Sequence, residues 1–235
     1  RISAGVCYVR LVLKQDLTNP DARMACCAAQ MFLDSGDGIV FKGALGPWYD
    51  TESKQYKLDR NAAYGLASKV VDAYREKRGA APREIFIHGR AFFDDEEWRG
   101  FEGAIDPANT KVVGVRIRTE NSFRLFREST HPVLRGLGVK RHPRSAFLYT
   151  GGYSPRLQTY PGLEVPRPLR IDILRGEAPI EDVSQDILTL TKLNYNTCLL
   201  CDSTPVTLRF ADSIGEILTA GPTPTLKPLP FKHYI

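Results

Sequence analysis

The chain has 235 residues, of which 43% are hydrophobic and 25% are charged. This composition is typical of a globular protein with a sizeable core, and it excludes an intrinsically disordered chain. No segment approaches the ~20 uncharged apolar residues that a membrane span requires, so we expect no membrane partner. The net charge of +5 suits a polyanionic partner, but it also suits many unrelated proteins and decides little alone.

Hydrophobic patterning predicts strands that alternate with helices. Residues 6–14 are typical of a strand, and the apolar runs 25–32 and 39–41 flank a turn, as in a hairpin. Helical periodicity covers residues 61–78 and stops at Gly79. Further strands are predicted at 84–88, 111–118 and 169–174, and further helices from Asp94 to Gly103, over 180–193 and over 205–219. This succession predicts an α/β fold with a mixed sheet.

The five cysteines are an odd number in a chain too large to need disulfides. This favours free thiols and a cytoplasmic location. Cys198 and Cys201 form a CxxC pair, but no second pair of zinc ligands accompanies them. We therefore interpret the pair as ordinary thiols.

Several sequence motifs in the second half of the chain resemble those of a known family. They are AFLYTGG at residues 146–152, LTKLNYN at 190–196 and PVTLRFA at 205–211. With these strings in this order, the chain resembles the PIWI domain of a prokaryotic Argonaute over nearly its whole length. The resemblance implies an RNase H-like mixed sheet flanked by helices, with residues 1–235 forming one PIWI domain.

The chain begins with Arg1 instead of methionine and shows no signal-peptide pattern. We therefore expect it to be part of a longer protein. The resemblance implies that a MID domain, which would bind the 5′ phosphate of the guide strand, precedes Arg1.

Cleavage in the family is implied to be two-metal hydrolysis, which needs carboxylates clustered around two Mg²⁺ or Mn²⁺ ions. The first family aspartate would lie in the strand 6–14, which contains no carboxylate. The second would lie at the end of the strand 84–88, where this chain has His88 and Arg90. Only Asp212 retains an acid at a family position. We therefore predict an inactive domain with no catalytic residue.

Other polar residues near the strand ends have a structural interpretation. Asp94 and Asp95 lie past the strand end and suit the start of a helix. Asp16 and Asp21 lie in a turn-like stretch. A lone histidine at a strand end, such as His88, is more typical of a hydrogen-bonded structural residue than of a metal ligand.

The resemblance implies that the binding chemistry remains. Lys192, Asn194, Asn196 and Arg209 lie within the matching strings, and the resemblance assigns them contacts to the guide backbone, because such side chains bind phosphates. Asn194 and Asn196 also suit a plain turn.

Three further arginines lie beside prolines, namely Arg156, Arg167 and Arg170. They fit either the same nucleic-acid channel or ordinary surface solubility. At the end of the chain, the resemblance implies that the carboxylate of Ile235 helps to bind Mg²⁺ at the guide 5′ phosphate, a structural and not a catalytic ion. Phe231 and Tyr234 would anchor this tail.

Three functions follow as hypotheses. The first is guide-dependent recognition in prokaryotic defence, in which a guide RNA or DNA pairs with a complementary target, expected to be DNA, and an APAZ-containing effector protein supplies any chemistry. The second is an active guide-directed endonuclease whose ligands differ from the expected positions. The third is a scaffold that binds a protein partner and no nucleic acid.

Overall fold

A computed structural model of the chain describes residues 5–33, 38–160, 162, 164–193, 203–209 and 229–230. The strands are β1 Val6–Gln15, β2 Ala25–Leu33, β3 Gly38–Gly46, β4 Tyr49–Asp50, β5 Gln55–Tyr56, β6 Glu84–Gly89, β7 Lys111–Thr119, β8 Gly138–His142, β9 Ser145–Leu148, β10 Leu169–Arg175 and β11 Leu229–Pro230. The helices are α1 Arg60–Arg78, α2 Asp95–Gly103, α3 Ile180–Leu190 and α4 Val206–Arg209.

Within these described ranges, nine strands form one mixed sheet in the order β11, β3, β2, β1, β6, β7, β10, β9, β8. The three central strands β1, β6 and β7 are parallel to one another. The strands outside them pair antiparallel, including the predicted hairpin of β2 and β3. The predicted mixed α/β sheet is therefore confirmed.

Helices cover both faces of the sheet, and alternation along the strands divides the core between them. On β1, Tyr8 packs in a cluster with residues of α3 and α4, whereas Cys7 and Val9 pack in a second cluster with residues of α1 and α2. Successive side chains of a strand point to opposite faces. We refer to these two sides of the sheet as the α3 face and the α1 face.

Helix α1 begins and ends with the capping groups that its sequence supplies. The Asp59 carboxylate accepts a hydrogen bond from Ala62 N at 2.8 Å and another from Trp48 Nε1 at 3.0 Å. At the other end, Gly79 has φ 74° and its N–H donates to Arg75 O at 2.8 Å. An αL conformation favours glycine, because a side chain there is strained. The predicted helix 61–78 is confirmed, and it begins one residue earlier.

Helix α2 packs directly against α1 and carries a buried acid. A Cβ atom added at Gly100 would lie 2.4 Å from Arg60 O, so only glycine allows this approach of the two helices. Asp94 accepts from Glu96 N at 3.0 Å and caps α2. Glu97 is 5% exposed and accepts hydrogen bonds from the backbone N–H groups of Asp94 and Leu58.

The structure differs from the sequence prediction in its second half. The helix predicted over 180–193 ends at Leu190, and of the helix predicted over 205–219 only α4 lies within the described residues. Strands β8 and β9 were not predicted. Strand β8 is almost fully exposed and shows no alternation of apolar and polar residues, whereas β9 is buried but only four residues long. Within the described ranges, no helix combines the length and apolarity needed to span a bilayer.

Candidate nucleic-acid interface

The parallel strands β1, β6 and β7 bring their polar residues to one edge of the sheet. Arg10 pairs in register with His88, and His88 pairs with Val115. In α/β sheets, ligands bind in the crevice outside the carboxyl ends of the parallel strands. Arg10 and His88 therefore lie side by side where a site on this fold is expected.

His88 is a buried, hydrogen-bonded residue, as the sequence predicted. Its side chain lies on the α3 face, with Nδ1 3.0 Å from Thr207 Oγ1 of α4. Burial, and then the positive charge of Arg10, lower the pKa of His88 to about 3. The imidazole is therefore neutral near pH 7.

Arg10 places a positive charge beside this histidine. The guanidinium is half-buried, and Nη1 donates to the carbonyl oxygen of His88 at 3.1 Å. A fixed cation in this position opposes the binding of a divalent metal, because like charges repel strongly in a partly desolvated site.

One carboxylate on the α3 face was not predicted from the sequence. Asp186 of α3 accepts a hydrogen bond from Tyr8 Oη at 2.5 Å. Burial raises the pKa of Asp186, and the hydrogen bond from Tyr8 partly offsets this rise. The pairing joins residues 178 positions apart, so no local sequence signal indicates it. Among the described residues, no group of three His, Cys, Asp or Glu side chains is arranged to hold a metal ion.

The remaining acids near the strand ends form turns and helix starts, as predicted. Asp94 caps α2, and Asp95 begins that helix and forms an ion pair with Arg175. Asp16 accepts from Thr18 N at 3.0 Å, and Asp21 accepts from Arg23 N at 2.9 Å. All four carboxylates thus have structural partners.

Basic residues gather at the carboxyl end of α3. Lys192 is exposed two residues past the helix end, and its backbone N–H donates to Thr189 O at 2.9 Å. Arg135 reaches the same end through a hydrogen bond to Thr191 Oγ1. Arg135 was not predicted as a site residue, because its contact with Thr191 joins a loop to a position 56 residues away and leaves no local signal in the sequence. These two cations give the end of α3 a positive surface.

Arg209 lies on the same side of the sheet as Lys192. It is half-buried at the end of α4, whose Val206 and Leu208 pack in the core cluster of the α3 face. The structure thus places Lys192 and Arg209 on elements that cover one face.

The three proline-flanking arginines lie in different surroundings. Arg156 is exposed in a 3₁₀ turn at Pro155–Leu157. Arg167 is exposed and donates to Asn121 Oδ1 at 3.2 Å. Arg170 forms an ion pair with Asp172 at 3.0 Å and, by strand alternation, points to the α1 face. Of the three, only Arg170 can be assigned to a face of the sheet, and that face is opposite to the α3 face.

Several predicted residues lie outside the described residues. They are Asn194, Asn196, Cys198, Cys201, Asp212, Phe231, Tyr234 and Ile235. Their roles, and that of Mg²⁺ at the guide 5′ phosphate, stay predictions.

The strand order and the flanking helices define an RNase H-like fold of the PIWI type. This confirms the fold that the sequence motifs implied. No protein-family model matches the sequence, and no curated protein matches it.

Solved Argonaute structures share this fold. Clostridium butyricum Argonaute bound to a guide DNA and a 19-mer target DNA matches with a TM-score of 0.68 at 18% identity, over 91% of this chain and 27% of that one. Aquifex aeolicus Argonaute matches with a TM-score of 0.66 at 17% identity, over 100% and 31%. Marinitoga piezophila Argonaute in complex with 5′ OH guide RNA and target DNA matches with a TM-score of 0.64 at 17% identity, over 92% and 30%. The chain thus spans less than a third of the length of each.

Proposed function

We propose that this chain recognises nucleic acid by holding a guide strand paired with a complementary target, and that it does not cleave that target. The observation that carries the proposal is the pair Arg10 and His88, which are register neighbours on the two central strands. The fold of guide-bound and target-bound Argonautes supports the binding half of the proposal.

The chemistry of the pair argues against two-metal hydrolysis. Two divalent cations about 4 Å apart need several anionic oxygen ligands. Arg10 instead supplies a cation, and His88 supplies a neutral ring with one nitrogen next to Thr207. Asp186 contributes one carboxylate on the α3 face, which is fewer than the several that two metal ions need.

The full-length protein, loaded with a guide and supplied with Mg²⁺ or Mn²⁺, should leave a complementary target intact. The assay is gel analysis of an end-labelled target with matched and mismatched guides. A product cut at one defined phosphate with the matched guide only would contradict the proposal. Loss of that product in Asp212→Ala would then establish the alternative, an active endonuclease.

Guide binding should depend on Lys192 and Arg209, which lie on elements of the α3 face. We expect Lys192→Ala and Arg209→Ala to weaken binding equally for all guide sequences, because phosphate contacts carry no base information. Each lost phosphate contact should reduce the slope of log K against log salt concentration by about 0.7 on a single strand. Fluorescence anisotropy across a salt series measures both effects.

Lys77→Ala is the matched control for these variants. Lys77 is exposed in the last turn of α1, which covers the opposite face, so its removal should leave the slope unchanged. Unchanged affinity and slope in both Lys192→Ala and Arg209→Ala would favour the scaffold hypothesis.

We further propose that any chemistry that follows recognition belongs to a partner protein. The family resemblance supports an APAZ-containing effector in this role. The cation at Arg10, in place of a metal ligand, supports such a division of labour.

A further inference from the structure

Phe92 is an exposed aromatic ring in the segment that joins β6 to α2. Its side chain is 70% exposed, whereas the adjacent Phe93 is 8% exposed and packs against Trp98 with ring centroids 5.5 Å apart. Phe93 and Trp98 thus anchor the segment in the core, while Phe92 is left at the surface.

The Phe92 ring is supported from one side by a buried guanidinium. Arg116 Cζ lies 4.0 Å from the Phe92 ring centroid, within the range of a cation–π contact. Arg116 is 8% exposed. With its inner side against Arg116 and 70% of the residue still accessible, the ring presents its opposite side to solvent.

A buried network fixes that guanidinium in place. Arg116 Nη2 donates to Asp172 Oδ2 at 2.8 Å. Asp172 also accepts from Ser145 Oγ at 2.7 Å and from Arg170 Nε at 3.1 Å. Because these partners hold the Arg116 head group, the ring above it has a preformed orientation.

Exposure alone does not distinguish Phe92. Phe126 is 79% exposed, yet no ring or guanidinium contact to Phe126 occurs within the described part of the chain. Phe92 therefore differs from Phe126 in having a fixed cationic support, although the two residues are similarly accessible.

Phe92 lies near the carboxyl end of β6, as the candidate site does, but Arg116 beneath the ring points to the α1 face, whereas the side chain of His88 points to the α3 face. Phe92 follows β6 by three residues, and Arg116 is the register partner of Gly89 at the carboxyl end of β6.

Arg175 lies close by, with Nη2 3.3 Å from Phe93 O. Bases of single-stranded nucleic acid stack on open aromatic faces. The guanidinium groups of Arg116 and Arg175 are already paired with Asp172 and Asp95, so the ring itself is the contact available to a base.

We propose that Phe92 is a stacking platform for an unpaired nucleobase. This inference rests on the proposed function, in that it needs a bound strand that crosses the edge of the sheet near His88. The occupant is a base outside the guide–target duplex, because a base inside the stack has both of its faces covered.

Phe92→Ala should weaken binding of a DNA oligonucleotide roughly five- to hundredfold with no change in the salt slope, because no phosphate contact is lost. Phe92→Trp should keep the affinity. An oligonucleotide with 2-aminopurine at successive positions should show one position whose fluorescence is quenched by the protein and restored by Phe92→Ala.

Phe126→Ala is the control of similar exposure, and it should bind like the unmodified protein. Both phenylalanines are exposed, so unchanged melting transitions are expected and should be verified. If Phe92→Ala and the unmodified protein show equal affinity and equal quenching, Phe92 is not a stacking platform. In that case a reduced salt slope in Lys192→Ala would still support the proposed function. If the unmodified full-length protein binds no oligonucleotide, both proposals fail. If Phe92→Ala impairs only the capture of a protein partner, the surface binds protein and the platform is wrong.

Discussion

Replacing Asp172 with alanine should lower the free energy of unfolding by about 3 to 5 kcal/mol, the usual effect of removing one partner from a buried ion pair. Asp172 is 6% exposed and Arg116 is 8% exposed. Without the carboxylate, the Arg116 guanidinium remains buried without its counter-ion, and Ser145 loses its acceptor. The two remaining arginines, Arg116 and Arg170, would also repel each other.

The pKa of Asp172 makes the stability that this network contributes depend on pH. Burial raises this pKa, but hydrogen bonds from Arg116, Ser145 and Arg170 outweigh burial and lower it below its ordinary value. A carboxyl with a lowered folded-state pKa stabilises the fold above its unfolded-state pKa, and this contribution is lost as the pH falls through the folded-state pKa. The ion pair should therefore stay intact at neutral pH and fail only in strong acid.

Urea unfolding of Asp172→Ala tests this prediction, with Glu164→Ala as the control. Glu164 forms an exposed ion pair with Arg167 at 3.4 Å, and such surface pairs contribute between 0 and about 1 kcal/mol. A loss below about 1 kcal/mol in Asp172→Ala would show that the buried network does not stabilise the sheet.

Replacing Glu97 with glutamine should stabilise the protein above pH 7 by up to about 3 kcal/mol. Burial raises the pKa of Glu97 from 4.5 to about 7. A carboxyl with a raised folded-state pKa favours the folded state most below its unfolded-state pKa of 4.5. That contribution falls as the pH rises to about 7, where the buried group ionises. Glutamine keeps an acceptor oxygen for the backbone N–H groups of Asp94 and Leu58 without carrying a charge.

Unfolding free energies at pH 5 and pH 8 test this prediction. The difference between Glu97→Gln and the unmodified protein should be small at pH 5 and large at pH 8. Glu96→Gln, an exposed substitution on the same helix, should change stability by no more than about 0.5 kcal/mol at either pH. If the difference in unfolding free energy between Glu97→Gln and the unmodified protein is the same at both pH values, Glu97 does not titrate in this range and the prediction is wrong.

Local patterns predicted most of the sheet because the buried strands and α1 bury regular sets of side chains. The periodicity of α1 and the apolar runs of β1, β6, β7 and β10 are visible within short windows of sequence. The exposed strand β8 lacks such a pattern and was missed.

The candidate site was only partly predictable for a related reason. The absence of carboxylates from β1 and the histidine at the end of β6 can be read directly from the residues. The contacts that define the site's chemistry join distant positions: His88 and Thr207 are 119 residues apart, and Tyr8 and Asp186 are 178 apart. Pairings over such separations depend on strand register and helix docking, which no local pattern encodes.

The exposed strand β8 has a consequence for how copies of this protein meet in solution. Among the described residues it is the last strand of the sheet, and its outer side presents one row of backbone donors and acceptors that another strand could extend. Lys140 and Arg141 occupy the middle of this strand. A second copy approaching edge to edge would place its own cations against them, and charged edge strands of this kind discourage the growth of sheets between molecules. We therefore expect β8 to disfavour edge-to-edge pairing of two copies, chiefly through Arg141, because Lys140 pairs with Glu181.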